Sequence, residues 1–158
     1  MANLTSIVIA ISFSFATGFF TTLSYVEKPV WGLVFDSDNP RVTDENARLI
    51  HAELKRIINI APPTMATVVS SGTVLVLYQM WQQNFGESAL TVAVWLFLSM
   101  GYVISQLRAR IAAVKSVSSD GDIDDVREGL GGLVTIHHMG LIATSGVVIL
   151  QTVLVVLL

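Results

Sequence analysis

The chain has 158 residues, of which 53% are hydrophobic and 13% charged, and its mean hydropathy is +0.67. Soluble domains carry about 25% charged residues, so lipid rather than water is the solvent for most of this chain. The absence of cysteine excludes disulfides, thiolate nucleophiles, iron–sulfur clusters and Cys-ligated zinc, and a net charge of −3 without any basic run speaks against a nucleic-acid partner.

The first apolar stretch spans residues 4–26. It lacks a positively charged start and a small-x-small site before Lys28, so it reads as a membrane helix and not as a cleaved signal. Ala10, Ser14, Gly18 and Thr22 recur at every fourth position and form a small-residue ridge of the kind that lets membrane helices approach closely. Glu27 closes this helix.

A second helix is expected to begin before its membrane span, capped at Thr43 or Asp44 with acidic residues at its positive end. Leu49, Ile50, Leu54, Ile57 and Ile58 give its stem an apolar stripe, and His51 reads there as one of several solubilising polar groups. The apolar part covers 57–81 and includes Pro62 and Pro63, which remove backbone donors, predict a kink and are expected on the helix-packing side with the ridge of the first helix. Asn59 lies one turn before the prolines. Tyr78 and Trp81 suit the opposite interface.

The third span, 89–107, is the most apolar and reads as the most lipid-exposed, leaving helices one, two and four as the tight core. The acidic stretch from Asp120 lacks the glycine and glutamate that a calcium loop needs at its sixth and twelfth positions, so no metal site is expected. The fourth span covers 130–158 and carries His137 and His138 about two turns inside its apolar start. Ionisable groups at membrane depth are rare and mark functional sites by default. Adjacent helical positions diverge by about 100°, so at most one of the two faces the bundle squarely.

All nine Lys and Arg residues fall in two segments, 28–56 and 108–127. The positive-inside rule therefore places both loops in the cytoplasm and both termini outside, in the inner (plasma) membrane. The expected fold is all-α: one domain over 1–158, a bundle of four transmembrane helices whose kinked second helix extends into the cytoplasm.

The run Leu54-Lys-Arg-Ile-Ile-Asn-Ile-Ala-Pro-Pro, followed by a span with Thr, Ser and Gly, resembles the second helix of HemJ-type protoporphyrinogen oxidases and CopD-like copper-resistance membrane domains. The segment Gly101-Tyr-Val-Ile-Ser-Gln-Leu-Arg-Ala-Arg is similar in style, and Gly18-Phe-Phe-Thr-Thr-Leu-Ser-Tyr-Val-Glu-Lys-Pro resembles the first helix of the anthrone-oxygenase-like membrane family. The first resemblance implies a haem-linked redox protein. Its first-helix histidine has no counterpart here, so His137 or His138 would have to supply an axial ligand instead.

Glu27, Asn59, His137 and His138, with His51 if the stem folds back, are thus the candidates for a polar pocket near the cytoplasmic face. Nothing in the chain assembles nucleophile, base and metal, and whether it is an enzyme stays open. The leading expectation is an accessory, non-catalytic membrane component, either a homo-oligomer or a subunit of a membrane complex, with lipid as its constant partner. A haem- or small-ligand-handling redox protein is the alternative, and a transporter or channel built between protomers is the third.

Overall fold

The structure, a computed structural model, describes residues 4–157, with side chains described through residue 154. Four helices follow one another: α1 (Leu4–Glu27), α2 (Asp44–Gln82), α3 (Glu87–Ser116) and α4 (Ile123–Leu157), with a short 3-10 helix, η1 (Lys28–Val34), directly after α1. No strand occurs among the described residues. All four helices are long and apolar enough to cross a membrane. Helices α2, α3 and α4 all run beyond the apolar stretches that define their spans, because their polar ends carry helix-forming residues and pack on one another.

Thr43 starts α2 by accepting the Asn46 N–H (3.2 Å), and Asp44 and Glu45 occupy the positive end of the helix dipole. The helix continues through Pro62 and Pro63. Its buried stem face is Ala47, Ile50, His51, Leu54 and Ile58, whereas Leu49 is exposed. The stripe is therefore rotated from the expected one, and it takes in His51 as a buried member instead of a solubilising one.

The core has two parts. At the charged end, Leu33, Leu54, Val114, Val126, Leu130 and Leu133 join η1, the α2 stem, the end of α3 and the start of α4. At the far end, Ile9, Phe13, Val76, Leu96, Ala143 and Val147 join the four helices. Helix α4 lies at the centre, against both α1 and α3.

Two expectations about packing are corrected. Ser14, Gly18 and Thr22 are exposed and Ala10 is only half-buried, so the small-residue ridge of α1 faces outward. The inward face is Ile9, Phe13, Ala16, Phe20 and Leu23, where large side chains fill depressions on other helices. Nor is α3 the loose helix. Its Trp95 indole N–H donates to the Ala143 carbonyl (3.0 Å) and its ring occupies the space over Gly146, where a Cβ would stand 2.2 Å from Nε1. The small residue that seats α3 is on α4, not on α3 itself. The least enclosed helix is α2, with Pro63 exposed and Pro62 half-buried.

At the far end a polar clamp joins three helices. The buried amides of Gln79 and Gln151 exchange hydrogen bonds (2.7 and 3.3 Å), and Gln79 Nε2 also donates to Ser6 Oγ (2.7 Å). In an apolar medium these groups have few other partners, which fixes the register of α1, α2 and α4.

Candidate functional site

Helix α1 ends where the chain must turn into η1, with Pro29 in the first turn of the latter. Glu27 sits at this junction and is 0% exposed. Opposite it, α4 carries His137, with Gly140 one turn further on. A Cβ at 140 would come within 2.6 Å of the Phe20 ring, so the glycine admits Phe20 and lets α1 lie close on α4. The approach brings Glu27 Oε1 onto His137 Nδ1 in a short hydrogen bond, buried on both sides. The second carboxylate oxygen, Oε2, is also buried and has no donor among the described residues.

His138, one position on, turns to a different set of groups. Its Nε2 pairs with Ser24 Oγ (3.0 Å), and the Trp31 indole packs edge-on against the ring at 5.5 Å between centroids. Trp31 is itself fixed by donating to the Ser24 carbonyl (3.0 Å). The divergence of neighbouring helical side chains thus gives the two histidines separate roles: His138 anchors η1, while His137 faces the bundle.

A carboxylate can only accept hydrogen bonds. In the tautomer that donates from Nδ1 to this carboxylate, Nε2 of His137 presents its lone pair. No hydrogen bond engages Nε2 among the described residues. His137 forms part of the wall of a half-open cavity of about 310 Å³ lined otherwise by α1, α2 and α3. The rest of the wall is almost wholly apolar: Phe20 and Leu23 from α1, Pro62 and Met65 from α2, Met100 and Leu107 from α3. A larger, shallower groove between α3 and α4, of about 700 Å³, has no His, Asp, Glu, Lys or Arg in its wall.

Of the residues expected to build the pocket, the structure brings Glu27 and His137 together and sets His138 beside them. Asn59 is elsewhere. It is exposed and donates to the carbonyl of Lys55 on its own helix (2.9 Å), because its position faces away from the buried side of α2. His51 is also apart from the pair, holding Ser119 Oγ through Nδ1 (2.9 Å). Arg48 and Lys55 flank it and donate to the carbonyls of Ser119, Gly121 and Val117, so the α2 stem grips the segment between α3 and α4. Ser24 and Trp31 were not singled out by the sequence. A Trp one short turn beyond Glu27 is the signal that would have found the second.

His51 lies outside the apolar stretch of α2, and burial, then the neighbouring Lys55 cation, hold its pKa below the usual histidine value, opposed in part by a backbone hydrogen bond to Val114. The folded state therefore binds its proton less readily than the unfolded state does. Stability at this grip is complete above the unfolded histidine pKa and falls as the pH drops below it. Amide protection in 117–121, with the intrinsic pH dependence of exchange divided out, is expected to fall on going from neutral to mildly acidic pH, and His51→Asn is expected to flatten that dependence.

Haem can be tested against these residues. The cavity offers one nitrogen donor and no cationic side chain to pair with propionate carboxylates, and its volume is at the lower end for small-molecule sites. The residues present do not fit haem. Among the described residues no three His, Asp or Glu side chains converge as a metal ion would require. Comparison with family models, with curated proteins and with solved structures finds no match to this chain.

Proposed function

We propose that this is a four-helix membrane protein that takes a lipophilic small molecule bearing one hydroxyl group (a phenol, quinol or sterol type of ligand) from the bilayer into the cavity beside His137. The buried Glu27–His137 pair in the wall of an otherwise apolar cavity carries this reading. An apolar body satisfies the walls, and the hydroxyl donates to His137 Nε2. Glu27 holds the ring in the accepting tautomer and would stabilise the imidazolium if the hydroxyl gave up its proton. The orientation inferred from the cations puts the cavity in the inner half of the membrane. A bend of α2 at Pro62 and Pro63 would place the widest gap between α2 and α3 at the same level.

The test is photolabelling in lipid nanodiscs with a diazirine-bearing long-chain alkylphenol. Saturable labelling of α2 and α3 peptides containing Met65 and Met100 is expected, competed by the unlabelled alkylphenol. The double replacement Glu27→Leu, His137→Phe removes the hydrogen bond to the ligand, worth about 1–1.5 kcal/mol, without leaving a buried carboxylate unpaired, so it should weaken labelling up to about tenfold. Labelling that never saturates, or that is equal in the variant, would overturn the proposal.

A second reading has its own observation. The outward ridge of Ser14, Gly18 and Thr22 is positioned for a second copy of the chain or another membrane subunit. A side chain at Gly18 meets nothing within 4 Å inside the molecule. Gly18→Leu should thus leave the protomer's thermal stability intact while dissociating any assembly, as read by crosslinking in membranes. An unchanged crosslinking pattern would remove this reading.

A further inference from the structure

The segment following α1 forms a second hollow, far from the His137 wall in its chemistry. A cleft of about 460 Å³ opens between η1 and the 35–42 segment, with Lys28 and Arg41 on its wall beside Trp31 and Phe35. We propose that this cleft seats the phosphate of an anionic phospholipid from the leaflet that meets the charged end of the bundle.

The charge pattern is the first argument. Of the other cations at this end, Arg127 pairs with Asp44, Arg56 pairs with Glu53, and Arg48 and Lys55 cap backbone carbonyls, while Arg108, Arg110 and Lys115 lie on α3 and do not line the cleft. Lys28 and Arg41 are exposed and have no acidic partner among the described residues. Asp36 and Asp38 are near in sequence but do not line the cleft; the Asp36 carboxylate accepts the Asp38 N–H, and Asp38 borders a different hollow with Asp44 and Arg127.

The apolar rim is the second argument. Phe35, in the wall of the cleft, is 92% exposed, and Tyr25, three residues before Lys28 in the sequence, is 71% exposed. Aromatic rings so placed have no reason to face water, but they suit the level where headgroups meet acyl chains. Rings on the lip and cations in the hollow repeat the polarity of a phospholipid, with its chains beside Tyr25 and Phe35 and its phosphate between Lys28 and Arg41.

The cleft is already built. Arg127 is 7% exposed and donates to the carbonyls of Ser37, Asn39 and Val42, which holds the 35–42 segment in one shape. A Cβ at Gly32 would stand 2.9 Å from the Asn39 side chain, so the glycine allows that segment to close on η1. Little ordering is left for the lipid to impose, and a preformed site binds more tightly than a mobile one. The cleft is separate from the His137 cavity, with which it shares no lining residue.

The experiment is native mass spectrometry of the full chain released from nanodiscs of mixed phosphatidylcholine and phosphatidylglycerol. Wild type should retain phosphatidylglycerol in preference to phosphatidylcholine. The double variant Lys28→Gln, Arg41→Gln removes two cations worth about 1 kcal/mol each near an anionic surface, so retention should fall about tenfold or more. Phe35→Ser should lower retention of both lipids, and Arg56→Gln should change neither. Equal retention of the two lipids by wild type, undiminished phosphatidylglycerol on the double variant, or an equal loss in Arg56→Gln would each overturn the proposal.

Discussion

Gly131→Ala is expected to lower the thermal stability of the protein, while Gly129→Ala, two positions earlier on the same helix, is expected to leave it unchanged or raise it. Both glycines lie in α4, where alanine is intrinsically favoured by up to about 1 kcal/mol. At 129 the added methyl would meet Val114 at 3.7 Å, an ordinary contact. At 131 it would stand 2.4 Å from the backbone carbonyl oxygen of Leu33. A backbone atom cannot swing aside as a side chain can, so η1 itself must lift from α4. Val30 and Leu33 would be drawn from the core, and the contact between Trp31 and His138 would loosen with them. Overpacking of this kind costs about 1–3 kcal/mol, and the loss should fall toward the upper end. Scanning fluorimetry of both variants in detergent reads the contrast directly; equal melting temperatures would show that η1 does not rest on Gly131.

The second large effect is expected at Glu27. Glu27→Ala leaves the Nδ1 proton of His137 buried without an acceptor, at a cost of about 1–3 kcal/mol, and opens a cavity beside it. Glu27→Gln retains an acceptor for the Nδ1 proton and should keep the fold, but its amide can also donate, so it no longer dictates which nitrogen carries the proton. Its alkylphenol labelling should therefore weaken while its melting temperature moves little. Replacing both members, Glu27→Leu with His137→Phe, removes the buried polar groups together and should recover most of the stability lost in Glu27→Ala. It should not recover labelling. This split between stability and binding separates a ligand site from a purely structural pair, for which the double replacement would have nothing further to lose.

The four spans and the gathering of cations at one end were legible in the sequence because both depend on composition over long windows. Glu27 and His137 were legible as candidates for a simpler reason: an ionisable group in an apolar stretch announces itself. Their pairing was not, because it depends on the depth at which α1 ends relative to α4, and Gly140 admitting Phe20 sets that depth. Asn59 shows the limit from the other side. It shares a depth with the pocket but not a face, and the buried side of α2 is turned from the expected one so that it takes in His51 and leaves out Leu49.

The glycines make the same point. The repeat through Gly18 was visible and faces outward, whereas Gly72, Gly140 and Gly146, with no regular spacing, each receive an aromatic ring from another helix. Spacing along one helix cannot identify the knob that a neighbour supplies. The clamp of Gln79 and Gln151 was within reach, since each is a lone amide in an apolar run and such groups seek each other across helices.

The measurement that bears most directly on the proposed site is ¹⁵N magnetic resonance of histidine-labelled protein in nanodiscs, with His137 assigned by comparison with His137→Phe. In the ligand-free protein His137 is expected to hold its proton on Nδ1, leaving Nε2 bare. Adding the long-chain alkylphenol should then shift Nε2 of His137 while leaving His51 unmoved. A proton on Nε2 before the ligand is added, or a His137 signal indifferent to it, would contradict the account.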